Sequence, residues 1–154
     1  MVKQVKVLFV CHGNICRSTM AQSIFTYLAR KKGVLDEFEI DSAATSTEEL
    51  GNPMYPPAVR ALTKHGIPIV DHRARQMTRD DYKHFDHIVI MDSENHRNVM
   101  RMTGNDPDGK VVWLLDRAVA DPWWTGEFET TYEDILEGCS DLLEKLLDYR
   151  FSRR

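Results

Sequence analysis

The chain has 154 residues, 42% hydrophobic and 29% charged, which is expected to give one ordinary soluble globular domain with a full core. Its formal net charge of -4 excludes the basic footprint of a nucleic-acid binder, leaving Arg73–Arg75 and the tail at 150–154 as local contact points. No stretch approaches the roughly 20 apolar residues of a membrane span, the opening Met1-Val2-Lys3-Gln4-Val5-Lys6 lacks a signal sequence's apolar region, and three cysteines fit no disulfide framework, so a cytoplasmic protein is expected.

Val5 to Val10 is a β-branched apolar run and reads as a buried strand. From Arg17 the spacing turns helical, with Met20, Ala21, Ile24, Phe25 and Leu28 recurring to about Lys32 and Gly33 placed to end the helix. A second strand is expected from Phe38 to Ser42, continuing into Ala43-Ala44-Thr45. Ser46 to Pro57, rich in proline, reads as a loop, and a helix from about Pro57 to His65 stops at Gly66. An extended link leads to His72-Arg73-Ala74-Arg75-Gln76, after which Thr78 is placed to cap a short helix through Tyr82. His87 to Met91 is the third strand, Asp92 or Ser93 caps a helix to about Met102, and Val111 to Leu115 is the fourth strand. The stretch Asp116 to Thr130 reads as a loop carrying Asp121-Pro122-Trp123-Trp124. A last helix, about Thr131 to Tyr149, sets Tyr132, Ile135, Cys139, Leu142 and Leu146 on one stripe. Strands alternating with helices predict an α/β fold, a parallel sheet covered on both faces with ligands at the strands' carboxyl ends. Cys11, Ser42, Asp92 and the Asp121 loop all fall at that end.

Between the first strand and the first helix lies a tight turn, Cys11-His12-Gly13-Asn14-Ile15-Cys16. Such a turn aims backbone N–H groups at a point just ahead of a helix N-terminus, which makes an anion site. Cys11 offers a soft nucleophile, and a helix N-terminus with a nearby cation favours its thiolate. Arg17 offers a planar fork matched to phosphate oxygens. Ser18 is placed to donate a hydrogen bond to the thiolate, Gly13 to permit a close turn or a positive φ, and Asn14 to hold the loop by bonding nearby backbone. The plainer alternative for Cys11 is a small buried residue at a strand's end. No lysine follows Gly13, unlike a nucleotide-binding loop. Cys11, Cys16 and His12 lack the second ligand pair of a zinc site, so no metal is expected.

The run Val7 to Ala21, V-L-F-V-C-H-G-N-I-C-R-S-T-M-A, resembles the signature of the low-molecular-weight protein tyrosine phosphatases, with His12 where the usual form has Leu and Thr19 where it has Pro. Asp41-Ser42-Ala43-Ala44-Thr45, His72-Arg73-Ala74-Arg75-Gln76, Met91-Asp92 and Asp121-Pro122 are similar to that family's later blocks, in the same order. The resemblance implies a single phosphatase domain over 1–154 and a flavodoxin-like three-layer sandwich, its four parallel strands in the order 2-1-3-4. It also implies hydrolysis of phosphotyrosine in proteins through a phosphocysteine, with no cofactor, nucleic-acid or membrane partner. On that resemblance Cys11 is the nucleophile, and Arg17 with the loop His12, Gly13, Asn14, Ile15, Cys16 and Ser18 holds phosphate or another oxyanion. Asp121 protonates the leaving phenolate and later takes a proton from water. Asn14, Ser18, Ser42 and His72 are implied as the network holding the loop open.

The same resemblance implies that Cys16 forms a reversible, protective disulfide with Cys11; read alone, Cys16 is a small buried residue in the first helical turn. Trp123 and Trp124 stand where the family commonly has two tyrosines and, with His12 and Glu48, would wall the substrate; core packing is the other reading of the tryptophans. Glu48 stands where relatives often carry an aromatic, which leaves that wall acidic and unfavourable to acidic phosphopeptides. Ile15 resembles the tyrosine-phosphatase pattern more than the phosphoarginine branch, which tends to have Thr there. Two rivals remain: an arsenate reductase needs two further redox cysteines downstream, where the chain has only Cys139, and a non-catalytic phosphate-binding module has no need of Cys11, Arg17 and Asp121 together.

Overall fold

A computed structural model of the chain describes residues 3–152; the first two residues, and the last two of the basic tail, lie outside the described residues. The apolar run forms β1 (Val5–Cys11) and is covered on both faces. Val5, Val7, Phe9 and Cys11 join one hydrophobic cluster, while Leu8 and Val10 join another on the opposite side, as a strand's two-residue period requires. β2 (Phe38–Ala44) pairs with β1 in parallel, from Val5 opposite Phe38 to Cys11 opposite Ala44. β3 (His87–Ile90) lies on the other side of β1 and carries β4 (Val111–Trp113), so the sheet runs β2-β1-β3-β4 with all its pairs parallel.

Helices α1 (Arg17–Lys31) and α2 (Pro56–Lys64) cover the first face, with α3 (Arg79–His84) and α4 (Ser93–Thr103) on the second. The one-turn α5 (Pro122–Thr125) precedes α6 (Phe128–Ser152), which returns to the first face beside α1. This is the expected flavodoxin-like three-layer arrangement. Phe9, Phe25 and Phe38 fill the centre of the first face, with ring centroids 5.7 and 5.2 Å apart. Among the described residues no helix is long and apolar enough to cross a membrane.

The elements differ from expectation mainly at their ends. Leu114 and Leu115, expected in β4, lie past its end, where Leu114 N–H still donates to Ile90 O of β3 at 2.9 Å and both side chains bury against the first cluster. Gly138 of α6 permits this, because a Cβ there would stand 2.5 Å from Leu114 Cγ. The segment after the fourth strand, expected as an open loop, contains α5, with Asp121 as N-cap, Pro122 in the first turn and Gly126 closing it at φ 73°. α6 begins earlier than expected because Phe128 packs on Tyr55, ring centroids 6.0 Å apart. A single turn of 3-10 helix, Leu35–Glu37, leads into β2.

Candidate active site

Cys11 is the last residue of β1, and its sulfur lies at the floor of a cleft of about 480 Å³. The backbone beyond it is pinned to the end of β2: Thr45 N–H donates to Cys11 O at 2.9 Å, and both Ser46 N–H and Ser46 Oγ donate to His12 O, at 3.1 and 2.8 Å. The chain then turns through Asn14, at φ 61°, into α1, whose first residue is Arg17. The left-handed position in this turn is therefore Asn14 and not Gly13, for which a positive φ was one expectation. A Cβ at Gly13 would meet Glu49 Cγ at 3.5 Å and Ile15 Cγ1 at 3.8 Å, both ordinary contacts. Asn14 tolerates the conformation because its side chain is held at both ends.

Those ends can be assigned from chemistry. Arg75 N–H is a donor only, so the Asn14 atom 3.2 Å from it is the carbonyl oxygen, which also accepts from His72 Nε2 at 2.8 Å. Asn14 Nδ2 then donates to Ser18 Oγ at 2.7 Å and to Ser42 Oγ at 3.0 Å. With Nδ2 donating into Ser18 Oγ, the serine's own hydrogen is free for Cys11 Sγ, 3.0 Å away; Ser18 N–H also donates to that sulfur, at 3.4 Å. The result is a directed chain, Asn14 to Ser18 to sulfur, that suits a negatively charged sulfur. Ser42 Oγ donates in turn to Gln22 Oε1. His72 reaches this network because its segment lies along the outer edge of β2, where Ala44 N–H donates to Arg75 O at 2.7 Å and Met77 N–H to Ala44 O at 2.8 Å. Burial lowers the His72 pKa below its ordinary value, against the pull of Asp41, whose Oδ1 lies 3.4 Å from Nδ1; the hydrogen on Nε2 is the one Asn14 Oδ1 accepts. The four residues expected from sequence to hold the loop, Asn14, Ser18, Ser42 and His72, thus meet in one hydrogen-bonded cluster; Gln22 and Arg75 join it.

Arg17 is 2% exposed, and its guanidinium is anchored through Nη1. Nη1 donates to Asp92 Oδ2 at 2.7 Å and to Val119 O at 2.8 Å, and Nη2 lies 3.5 Å from Asp121 Oδ2. Burial works against its charge, but Cys11, Asp92 and Asp121 outweigh it and hold its pKa above the ordinary value. Asp92 is the functional residue the sequence reading missed in this role. It was legible as a helix cap, and it is one, its Oδ1 accepting from Asn95 N–H at 2.8 Å; the other oxygen fixes Arg17. The Asp121 loop is positioned by the same arginine through Val119 O, and by Val119 N–H donating to Met91 O at 2.8 Å. Asp121 caps α5 with Oδ1, 3.1 Å from Trp123 N, which leaves Oδ2 directed at Arg17 and the cleft.

Trp123 and Trp124 line the cleft beside Asp121 and are 47% and 81% exposed, so core packing is not their role. Tyr55, which sequence reasoning passed over, supports Trp123 with ring centroids 4.8 Å apart, and its N–H donates to Ile15 O at 2.9 Å. Ile15 is turned inward to pack with Cys16 and Ala74. His12 and Glu48 form the opposite side of the mouth, His12 Nε2 lying 2.9 Å from Glu48 Oε2. Cys16 is buried in the cleft's lining; burial and, secondarily, Cys11 and Asp121 push its pKa well up, so it stays a thiol. Thr19, a departure from the family pattern, donates from Oγ1 to Cys16 O at 3.0 Å and so closes the first turn of α1.

A parallel α/β sheet with a cysteine, a buried arginine and a carboxylate gathered at its carboxyl end defines a cysteine-based phosphoester site. Comparison with known proteins places it further: the sequence model for the low molecular weight phosphotyrosine protein phosphatases matches residues 6–150, and the chain belongs to that family. It is 42% identical to the low molecular weight phosphotyrosine protein phosphatase of Gallus gallus, over 90% of this chain and 94% of that one. It is 38% identical to the low molecular weight protein-tyrosine-phosphatase YfkJ of Bacillus subtilis, over 92% and 96%. The crystal structure of YfkJ superposes with a TM-score of 0.92, covering 96% of this chain and 97% of that one at 37% identity.

Proposed function

We propose that this chain hydrolyses phosphotyrosine in proteins through a phosphocysteine, acting as one domain and without metal. The observation that carries the reading is the meeting, in one cleft, of Cys11 and Arg17, at the two ends of the turn after β1, with Asp121 from the distant stretch before α5. The phosphoryl group sits in the loop 12–18, its oxygens on backbone N–H groups and on the Arg17 fork. Since Nη1 is engaged by Asp92 and Val119, that fork is Nε and Nη2. Cys11 Sγ attacks phosphorus in line, the P–O bond to the tyrosine ring breaks, and Asp121 gives its proton to the departing oxygen. Water then attacks the phosphocysteine; Asp121 takes its proton, phosphate forms, and the sulfur leaves as thiolate onto the Ser18 hydrogen bonds. Trp123, braced by Tyr55, offers the ring its stacking face.

The arsenate-reductase alternative is weakened by Cys139, fully buried in α6 with its thiol raised in pKa by burial and donating to Ala21 O at 3.7 Å. A test of the function is phosphate release from a phosphotyrosine peptide in excess chelator, with acid-quenched protein carrying phosphate on Cys11. Dependence on an added divalent metal, or thiol-driven arsenite formation without phosphate release, would overturn it.

Cys16 fits a protective role. An oxidised Cys11, as sulfenic acid formed by peroxide, would condense with the Cys16 thiol to a disulfide and water. Peptide mapping after mild peroxide should find the Cys11–Cys16 disulfide; sulfonic acid on Cys11 beside an untouched Cys16 would refute protection. A nucleophilic thiol so placed needs a reducing compartment, which supports the cytoplasm as its location.

A further inference from the structure

The mouth of the cleft carries charge that the chemistry on its floor does not use. His12 stands between two glutamates, Nε2 at 2.9 Å from Glu48 Oε2 and Nδ1 at 3.4 Å from Glu94 Oε1, so the loop after β2 and the first turn of α4 are drawn together over the turn. Beside them Glu49 lies against Gly13, its Oε2 accepting from Asn52 Nδ2 at 2.7 Å. All three glutamates line the same cleft as Cys11. The Glu48 and Glu94 side chains are 68% and 57% exposed, so their carboxylates are open to an incoming chain.

The opposing positive charge is small. Among the residues lining the cleft, Arg17 is the one arginine or lysine, and it is buried and held by Asp92 and Asp121. His12 can carry a single positive charge against three carboxylates. With the phosphate seated on the floor at Cys11, a tyrosine ring reaches up past Trp123, and the substrate backbone crosses the rim where Glu48, Glu49 and Glu94 stand.

We infer that Glu48, Glu49 and Glu94, gathered around His12, select phosphotyrosine flanked by lysine or arginine and disfavour phosphotyrosine in acidic surroundings. The inference rests on the phosphatase reading and names its substrate class. An exposed ion pair is worth about a 1.5- to 5-fold factor, so three together reach on the order of tenfold. The test compares kcat/KM on two phosphotyrosine peptides that differ only in carrying lysine or glutamate at the neighbouring positions. The lysine peptide should be favoured by about tenfold at low salt, with the gap closing near about 1 M salt, where the screening length falls to about 3 Å. The double variant Glu48→Lys/Glu94→Lys should invert the order. Equal kcat/KM on the two peptides, or a preference that survives charge reversal, overturns the rim's role while leaving the phosphatase reading in place. No hydrolysis of either peptide by the unmodified protein would overturn both. Titration of the two peptides into the Cys11→Ser form should give the same ranking in affinity, which separates recognition from turnover.

Discussion

Cys11→Ser should abolish turnover while leaving the phosphate seat intact. The serine oxygen would occupy the same floor position, within reach of Ser18 Oγ and Ser18 N–H, and one substituted atom in a buried strand end does not disturb the sheet. A hydroxyl is a far weaker nucleophile than a thiolate unless a base activates it, and the neighbouring carboxylates, Asp92 and Asp121, are turned toward Arg17. Hydrolysis of p-nitrophenyl phosphate should fall by roughly 10⁴-fold or more, the scale of loss when an enzyme's nucleophile is removed. Phosphate affinity, read by titration, should hold or improve, because the variant removes a negative charge from beside a dianion. Activity within about tenfold of the unmodified protein would remove Cys11 from the nucleophile's role. Loss of phosphate binding together with activity would show instead that the sulfur supports the loop.

The parts of this site that were legible in the sequence are those where local pattern and function coincide. The Val5 run has to be a two-faced buried strand, and Arg17 opens a helical spacing, so the turn between them was visible as an anion cradle. Ser18 could be placed relative to Cys11 because it follows that turn directly, in the first turn of α1. Asp92 could not be connected to Arg17, 75 residues away, because only the pairing of β3 beside β1 brings them together. Its local signal, a carboxylate at a helix start, pointed to the cap it also makes. Gln22 was hidden in the same way: on α1 it reads as a polar helix residue, and its use depends on Ser42 of the adjoining strand. α5 carried every local signal of a helix, Asp at the cap, Pro in the first turn and Gly at the end, yet one turn is too short to show periodicity. Assigning the left-handed residue to Asn14 needed the contacts of its side chain, since glycine is the usual occupant of such a position.

Removing the proton on Asp121 should split the substrates. A tyrosine leaving group, with a pKa of about 10, departs slowly as an anion, so a positioned acid contributes about 10²–10⁴ to its rate. p-Nitrophenolate is a stable anion and needs no proton. Asp121 has two structural contacts besides, Oδ1 capping α5 at Trp123 N and Oδ2 near Arg17, so Asp121→Ala alone would mix loss of the acid with loosening of the Trp123 wall. Asp121→Asn keeps an equally good cap and can donate no proton in the reaction. Both variants should therefore lose about 10²–10⁴ in the first turnover of a phosphotyrosine peptide. On p-nitrophenyl phosphate the first turnover should stay within about tenfold, followed by slow steady-state release, because the water that cleaves phosphocysteine has also lost its base. A burst of p-nitrophenol equal to the enzyme concentration is the signature to look for in rapid mixing. Equal first-turnover losses on the two substrates would remove Asp121 from the acid role. A large loss in the Ala variant with a small one in the Asn variant would assign it to holding the α5 turn and its tryptophan in place.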